Sequence, residues 1–332
     1  MPKVWLGIAA CVALLLPAPG SAADQAMFKG KTITYIVATS PGGGYDSYGR
    51  LIARYLQNYF TGSRVVVKNV PGAGNIIGAN QIYAARPDGL TIGMFNTGLL
   101  YDQLLHRNGV QFDLTKFSWI GKAASEGRAL LISNASGLKS FDDILKAKEP
   151  IKFAASGIGA ASYNDTRILA DALHLNIRIV NGFTGNEGEM SMLRGEVAAQ
   201  VGSVDSLEQF VKQGHGFWGL SLSGGSDALP GVPRAVNYVK DARGKEMLAL
   251  LQALSEMGRL TAGPPGIPAP ILAAERDALT AMAKDPSFLT DAKKMNLPID
   301  HLPGDVVAVK IKAALNQPPE TIAALKRAAG GG

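Results

Sequence analysis

The run Thr32-Ile33-Thr34-Tyr35-Ile36-Val37-Ala38 is rich in β-branched and aromatic residues and stops at Ser40-Pro41-Gly42-Gly43-Gly44. It predicts a strand followed by a turn. From about Asp46, the apolar positions Leu51, Ile52, Tyr55, Leu56 and Tyr59 fall on one face at helical spacing. Residues 64–69, with Val65, Val66 and Val67 in succession, read as the next strand. Pro71-Gly72-Ala73-Gly74-Asn75 predicts a loop into a helix over 76–85, and Pro87-Asp88-Gly89 a turn before a strand over 90–95. A repeated strand–loop–helix order implies parallel strands with crossover helices.

A strand over 129–133 opens the second half, which repeats the pattern. Strands are expected at 151–155, 177–181, 197–203 and 219–222, with helices at 163–173, 187–193 and 206–212. The loop Ser156-Gly157-Ile158-Gly159-Ala160-Ala161-Ser162 and the loop Phe183-Thr184-Gly185-Asn186 join them. Beyond 222 the chain is proline-rich, and two helices, about 269–283 and 305–314, are expected to close it. No period of 20–50 residues recurs, which excludes a solenoid. The pattern describes two α/β lobes, each with glycine-rich strand-to-helix loops.

Composition adds little to the fold and more to the compartment. Of 332 residues 47% are hydrophobic and 18% charged, which excludes a disordered chain. The formal charge of +6 is mild and unclustered, so no nucleic-acid partner is expected. Residues 1–23 read as a secretory signal: Lys3 is the positive region, 4–17 the apolar region, and Gly20-Ser21-Ala22-Ala23 the small residues before cleavage. The single cysteine, Cys11, lies inside that leader. Export to the periplasm, which lacks ATP and NAD pools, argues against a cofactor-driven enzyme, and no cofactor is expected.

The 39 glycines are well above the usual ~7%, and three glycine loops occupy matching places in the two halves, at 40–46, 71–75 and 156–162. A loop between a strand end and a helix start offers unsatisfied backbone N–H groups in a positive dipole field. It therefore binds anions without needing Lys or Arg. Ligands in open α/β sheets sit at those strand ends.

Here the loops resemble a family. Ser40-Pro41-Gly42-Gly43-Gly44-Tyr45-Asp46 with Arg50 is similar to the first loop of the Bug-type receptors, the substrate-binding proteins of tripartite tricarboxylate transporters. The resemblance continues through Val65-Val66-Val67-Lys68-Asn69-Val70-Pro71-Gly72-Ala73-Gly74-Asn75, Ala85-Arg86-Pro87-Asp88-Gly89 and Phe112-Asp113-Leu114-Thr115. Ala155-Ser156-Gly157-Ile158-Gly159, Phe183-Thr184-Gly185, Ala228-Leu229-Pro230-Gly231-Val232-Pro233 and Gly263-Pro264-Pro265-Gly266-Ile267-Pro268 complete it in order.

The resemblance implies a type II periplasmic-binding-protein fold: two α/β lobes with mainly parallel sheets, joined by a two-strand hinge near 122–128 and 219–224. Lobe 1 would comprise 24–124 and 222–332, and lobe 2 residues 125–221. It implies a monomeric receptor that closes on a small carboxylate, held largely by backbone amides, and passes it to membrane permease subunits. The ligand contacts carried over are Ser40, Pro41, Gly42, Gly43, Gly44, Tyr45 and Asp46; Asn75; Asn96 and Thr97; Ser156, Gly157, Ile158, Gly159 and Ser162; Phe183, Thr184 and Asn186; and Ser203 and Asp205. Asp46 is placed either to cap the first helix or to meet a bound water or ligand ammonium.

The chain departs from the family pattern where that often has Asn, Ser and His at the positions of Ile158, Ala160 and Tyr163, and Tyr-Lys at Phe183-Thr184. Each change removes a polar handle or a charge, which suits a ligand with an apolar middle: a linear dicarboxylate or an aromatic acid. Arg128, beside the expected crossing, is placed to reach the cleft, while Arg50 and Arg54 read as surface ion-pairing residues.

Catalysis has no assembled machinery. His106, His174, His215 and His301 lie outside the candidate loops, no Gly-x-Ser-x-Gly elbow occurs, and metal-ligand spacing is absent. An exported hydrolase would need a nucleophile–base pair, a structural protein would not need anion loops in both lobes, and an orphan sensor would share the receptor's features.

Overall fold

The computed structural model describes residues 26–223 and 229–329. The expected leader with Cys11, and Ala228 of the proline turn, lie outside the described residues.

The chain first builds β1 (Thr32–Val37), α1 (Gly44–Tyr59), β2 (Arg64–Asn69), α2 (Ile76–Tyr83), β3 (Thr91–Phe95), α3 (Gly98–Leu104) and β4 (Ser118–Lys122). It crosses over to β5 (Arg128–Ser133), α4 (Phe141–Leu145), β6 (Ile151–Ala154), α5 (Ala161–Leu173), β7 (Ile177–Val180), α6 (Glu187–Leu193), β8 (Ala199–Ser203), α7 (Val204–Lys212) and β9 (Gly216–Ser221). It returns through α8 (Ala242–Ser255) and β10 (Leu260–Gly263). It then forms α9 (Ala269–Met282), α10 (Pro286–Lys294), β11 (Leu302–Pro303), α11 (Gly304–Leu315) and α12 (Pro319–Ala328).

The strands form two sheets, in the orders β11-β4-β10-β3-β1-β2 and β7-β6-β8-β5-β9. β1 pairs in parallel with β2 and β3, and β6 with β7 and β8, as the strand–helix–strand pattern predicts. The sheets are nonetheless mixed rather than mainly parallel. β10 runs antiparallel to both β3 and β4, and β5 antiparallel to both β8 and β9. The reason is topological. A strand entered from the crossing starts at the sheet end where the strand–helix units finish, so it runs against them.

Both faces of each sheet are covered. On α1, Tyr48, Leu51, Ile52 and Leu56 are buried and join Tyr35 and Val37 in one cluster. Each such side chain contributes about 1.5–3 kcal/mol on burial. The second sheet buries Phe153, Ile168 and Leu169 on one side, and Met192, Leu207 and Phe210 on the other. Two helices are expected after residue 222, but five α-helices are present among the described residues. α8 and α12 pack against α5 of the second sheet, while α9 and α11 pack against β4 of the first. Asp241 accepts from the Gly244 amide and caps α8, and Asp285 does the same for α10 through Ser287 and Phe288.

Candidate ligand-binding site

The first loop leaves β1 and enters α1 through Gly43, whose φ of −91° and ψ of 175° are extended. Gly43 has no side chain to cap the helix, and Asp46 does not cap its first turn either. The Asp46 carboxylate instead accepts from the Gly42 amide at 3.0 Å, Arg50 Nε at 2.9 Å and Asn69 Nδ2 at 2.9 Å. Burial works against its charge, but the hydrogen bonds from Arg50, Gly42 and Asn69 outweigh it and hold the carboxyl below its ordinary value. Asn69 also donates to the Thr39 carbonyl at 3.0 Å. Asp46 therefore fastens the glycine loop to the end of β2.

The second loop is backbone of an unusual kind. Gly72, Ala73, Gly74 and Asn75 all have positive φ, at 128°, 46°, 66° and 87°. Two of these are not glycine, and a left-handed conformation costs such residues roughly 1–2 kcal/mol each. Strain of this sort persists where the surroundings over-determine it, as at ligand sites. Asn96, after β3, accepts from the Gly98 amide at 2.7 Å through Oδ1.

From the second sheet come the loop after β6, where the Ser156 amide donates to Ser162 Oγ at 3.0 Å, and the loop after β7, where Glu187 accepts from the Thr184 amide and hydroxyl at 2.7 and 3.0 Å. The loops of the two sheets meet backbone to backbone. A Cβ on Gly74 would lie 2.6 Å from the Ile158 carbonyl, and one on Gly185 would lie 2.8 Å from the Pro41 carbonyl. Only glycine permits this approach.

Between the loops lies a cleft of about 330 Å³, lined by Thr39, Ser40, Gly43, residues 71–75, Asn96, Ser156, Gly157, Ala160 and residues 182–185. None of these side chains is ionisable. The cleft brings together Ser40, Gly43, Asn75, Asn96, Ser156, Gly157, Phe183 and Thr184 from the sequence-derived set. Pro41, Gly42 and Asn186 line an outer groove with Phe183, Thr184, Met190 and Arg194.

The remaining members of that set lie elsewhere. Gly44, Tyr45 and Asp46 belong to the first turn of α1. Thr97 is buried, Ile158 is half exposed, and Gly159 packs against Asp102. Ser162 holds its own loop. Ser203 and Asp205 contact Arg259, which was not anticipated. Arg128 does not reach the cleft. It is buried, with Nε 2.7 Å from Asp165 Oδ2 and Nη1 3.4 Å from Glu126 Oε2. A buried guanidinium takes the carboxylates around it, and here both lie within reach.

Among the described residues no group of His, Cys, Asp and Glu is clustered to hold a metal, and no helix is long and apolar enough to cross a membrane. Two α/β sheets thus present strand-end loops to one another across a cleft with no ionisable side chain in its lining.

The chain belongs to the tripartite tricarboxylate transporter receptor family, whose sequence profile matches residues 50–298; these proteins are periplasmic solute-binding receptors. A protein encoded in the tcbD-tcbE intergenic region of Pseudomonas sp. strain P51 is 27% identical over 186 residues, 55% of each chain. The match thus spans just over half of that relative's length. A protein of Agrobacterium vitis from the TAR-I ttuE-ttuC' intergenic region is 27% identical over 84% of this chain and 80% of its own.

Among solved structures, the periplasmic binding protein BugD superposes with a TM-score of 0.74 at 22% identity, covering 91% of this chain and 98% of its own. MatC from Rhodopseudomonas palustris, with bound malate, superposes at 0.74 and 19% identity over 89% and 100%. Rpa4515 of R. palustris, with adipate, superposes at 0.72 and 16% identity over 91% and 98%. These likenesses establish the fold.

Proposed function

We propose that this receptor captures a small organic carboxylate by closing its two sheets' loops around it, and delivers it to a tripartite tricarboxylate permease. The favoured ligand is a linear dicarboxylate or an aromatic acid. The observation that carries this reading is the uncharged cleft at the ends of β1, β2, β3, β6 and β7. Its polar groups are backbone amides and the side chains of Thr39, Ser40, Asn75, Asn96, Ser156 and Thr184. Strand-end amides stabilise a carboxylate without a cation, while Phe183 and Ala160 offer the ligand an apolar surface. A zwitterionic amino acid fits less well, because no carboxylate lines the cleft and a desolvated ammonium without a partner is costly. The cleft volume lies at the small end of ligand pockets, which run from ~300 to ~1,000 Å³. Malate and adipate, bound by the two R. palustris neighbours, are ligands of this class.

The moving bodies are the two sheets with the helices packed on each, so that α8 and α12 travel with the second. The strand-crossing segments act as the hinge. Export through residues 1–23 places the receptor in the periplasm.

A thermal-shift panel tests the ligand class. Malate, adipate, citrate, an aromatic acid and glutamate would each be titrated against the purified chain. Dicarboxylates or the aromatic acid should raise Tm, by about 2.7 kcal/mol of stabilisation at 100-fold over Kd. A response confined to citrate or to glutamate overturns the reading.

A further inference from the structure

Arg259 stands in the return crossing, between α8 and β10, and is completely buried. Its φ of 48° is left-handed, a conformation that a residue with a long side chain rarely adopts. The guanidinium carbon lies 3.9 Å from the ring centroid of Tyr45 and 4.6 Å from that of Tyr48, both on α1 of the first sheet. Its Nη2 donates to Asp205 Oδ2 at 2.6 Å, Ser203 Oγ at 3.3 Å and Ser206 Oγ at 3.4 Å, all at the start of α7 on the second sheet. Nη1 lies 3.8 Å from Glu126 Oε1 in the outgoing crossing. The Arg259 carbonyl accepts from the Ala123 amide at 3.0 Å, tying the two crossings together. One buried cation thus touches both bodies and both arms of the hinge.

The close approach of α1 and α7 around it is a second, independent observation. A Cβ on Gly44, the first residue of α1, would collide with Ser206 Oγ and lie 3.2 Å from Arg259 Nη2. The helix carrying the first glycine loop and the helix following β8 are in contact there, with no room for another side chain.

We propose that Arg259 is a positioning residue for ligand capture. It fastens α1 to α7 in the closed arrangement, with Asp205 as its anchor on the second body and the two tyrosine faces as its seat on the first. This rests on the reading that the two bodies open and close. Separating them must pull the guanidinium either off the tyrosine rings or away from Asp205. Either event gives up the cation–π contacts or the Asp205 ion pair, and these contacts favour the closed state. Neither Arg259 nor Asp205 lines the cleft, so the fastening acts on every ligand alike. The apparent Kd is the intrinsic Kd divided by the fraction of molecules able to close.

The test uses Asp205→Asn and Arg259→Lys, with Asp205→Glu as the conservative variant. Kd is measured for at least two acids of different shape that bind the unaltered chain, and small-angle X-ray scattering reports compaction with and without ligand. Asp205→Asn should weaken every ligand by a common factor, roughly tenfold, and Asp205→Glu should recover most of the loss. The unliganded Asp205→Asn protein should also scatter with a larger radius of gyration than the unaltered chain. Should Arg259→Lys fail to fold, the Asp205 pair carries the test alone. Unchanged affinity, or a loss confined to one ligand, overturns the proposal. If no acid binds the unaltered chain, the ligand reading fails. The scattering comparison of unliganded proteins then still decides: equal radii overturn the fastening, and an expanded variant supports it.

Discussion

Asp46 shows how much of a glycine loop rests on a residue outside the cleft lining. Its two oxygens collect donors from the loop, from the helix it belongs to and from the next strand, so the amides of residues 40–44 are held in place before any ligand arrives. Asp46→Ala removes those contacts while leaving the cleft lining intact. The expected result is a Kd raised about tenfold with a stability loss of roughly 1–3 kcal/mol, read by titration and urea denaturation. Equal affinity in the variant would show that the loop is ordered without it.

Glu275, on α9, reports the opposite situation. It is 1% exposed, and neither carboxylate oxygen has a hydrogen-bond partner. Burial, reinforced by the charge of Asp88, pushes its carboxyl up to about 8. The folded protein therefore keeps this proton where the unfolded chain has lost it, and stability falls as pH rises from the ordinary value of 4.5 towards about 8. Glu275→Gln should flatten that decline, gaining on the order of 5 kcal/mol over the unaltered chain at pH 9 and little at pH 4. Parallel urea midpoints across that pH range would contradict it.

At the scale of elements, the seam between the sheets is made by glycines. Gly74→Ala would place a methyl group against the Ile158 carbonyl and 2.9 Å from the Ala160 amide, backbone atoms that cannot turn aside. The first sheet alone should tolerate it at the roughly 1–2 kcal/mol of a left-handed alanine. Ligand affinity should fall more than tenfold, because the loops can no longer meet. A titration showing wild-type affinity would mean that the seam is not part of the binding state.

The elements carrying that seam were the most legible part of the chain. Residues 32–95 and 151–212 alternate β-branched runs, glycine loops and amphipathic helices, each short-range in origin. β4 and β10 are hidden because they are short and, as SWIGK and LTAG, mix polar and small residues without a β-branched run. α8 did carry a signal in Asp241 followed by apolar residues, obscured by the proline-rich stretch before it. Site residues followed the same division. Loop backbone could be placed from glycine spacing. The fates of Arg128, Ser203 and Asp205 depended on which charges burial brought together across the crossings, a long-range outcome no local pattern encodes.

For the whole molecule, the positive net charge of +6 matters less than where charge is absent. The buried ion pairs Arg128–Asp165 and Arg259–Asp205 lie outside the cleft lining, and the cleft lining itself is neutral. In the proposed function, recognition falls to amides and hydroxyls, which favour a carboxylate over an ammonium, and closure brings both sheets to bear on one small molecule.

Isothermal titration of the purified chain with malate and adipate, alongside glutamate, tests that claim most directly. The account predicts saturable binding of a dicarboxylate at one site per chain, the ligand recovered unchanged, and no heat of binding from glutamate. Binding of glutamate with neither dicarboxylate taken up would contradict it.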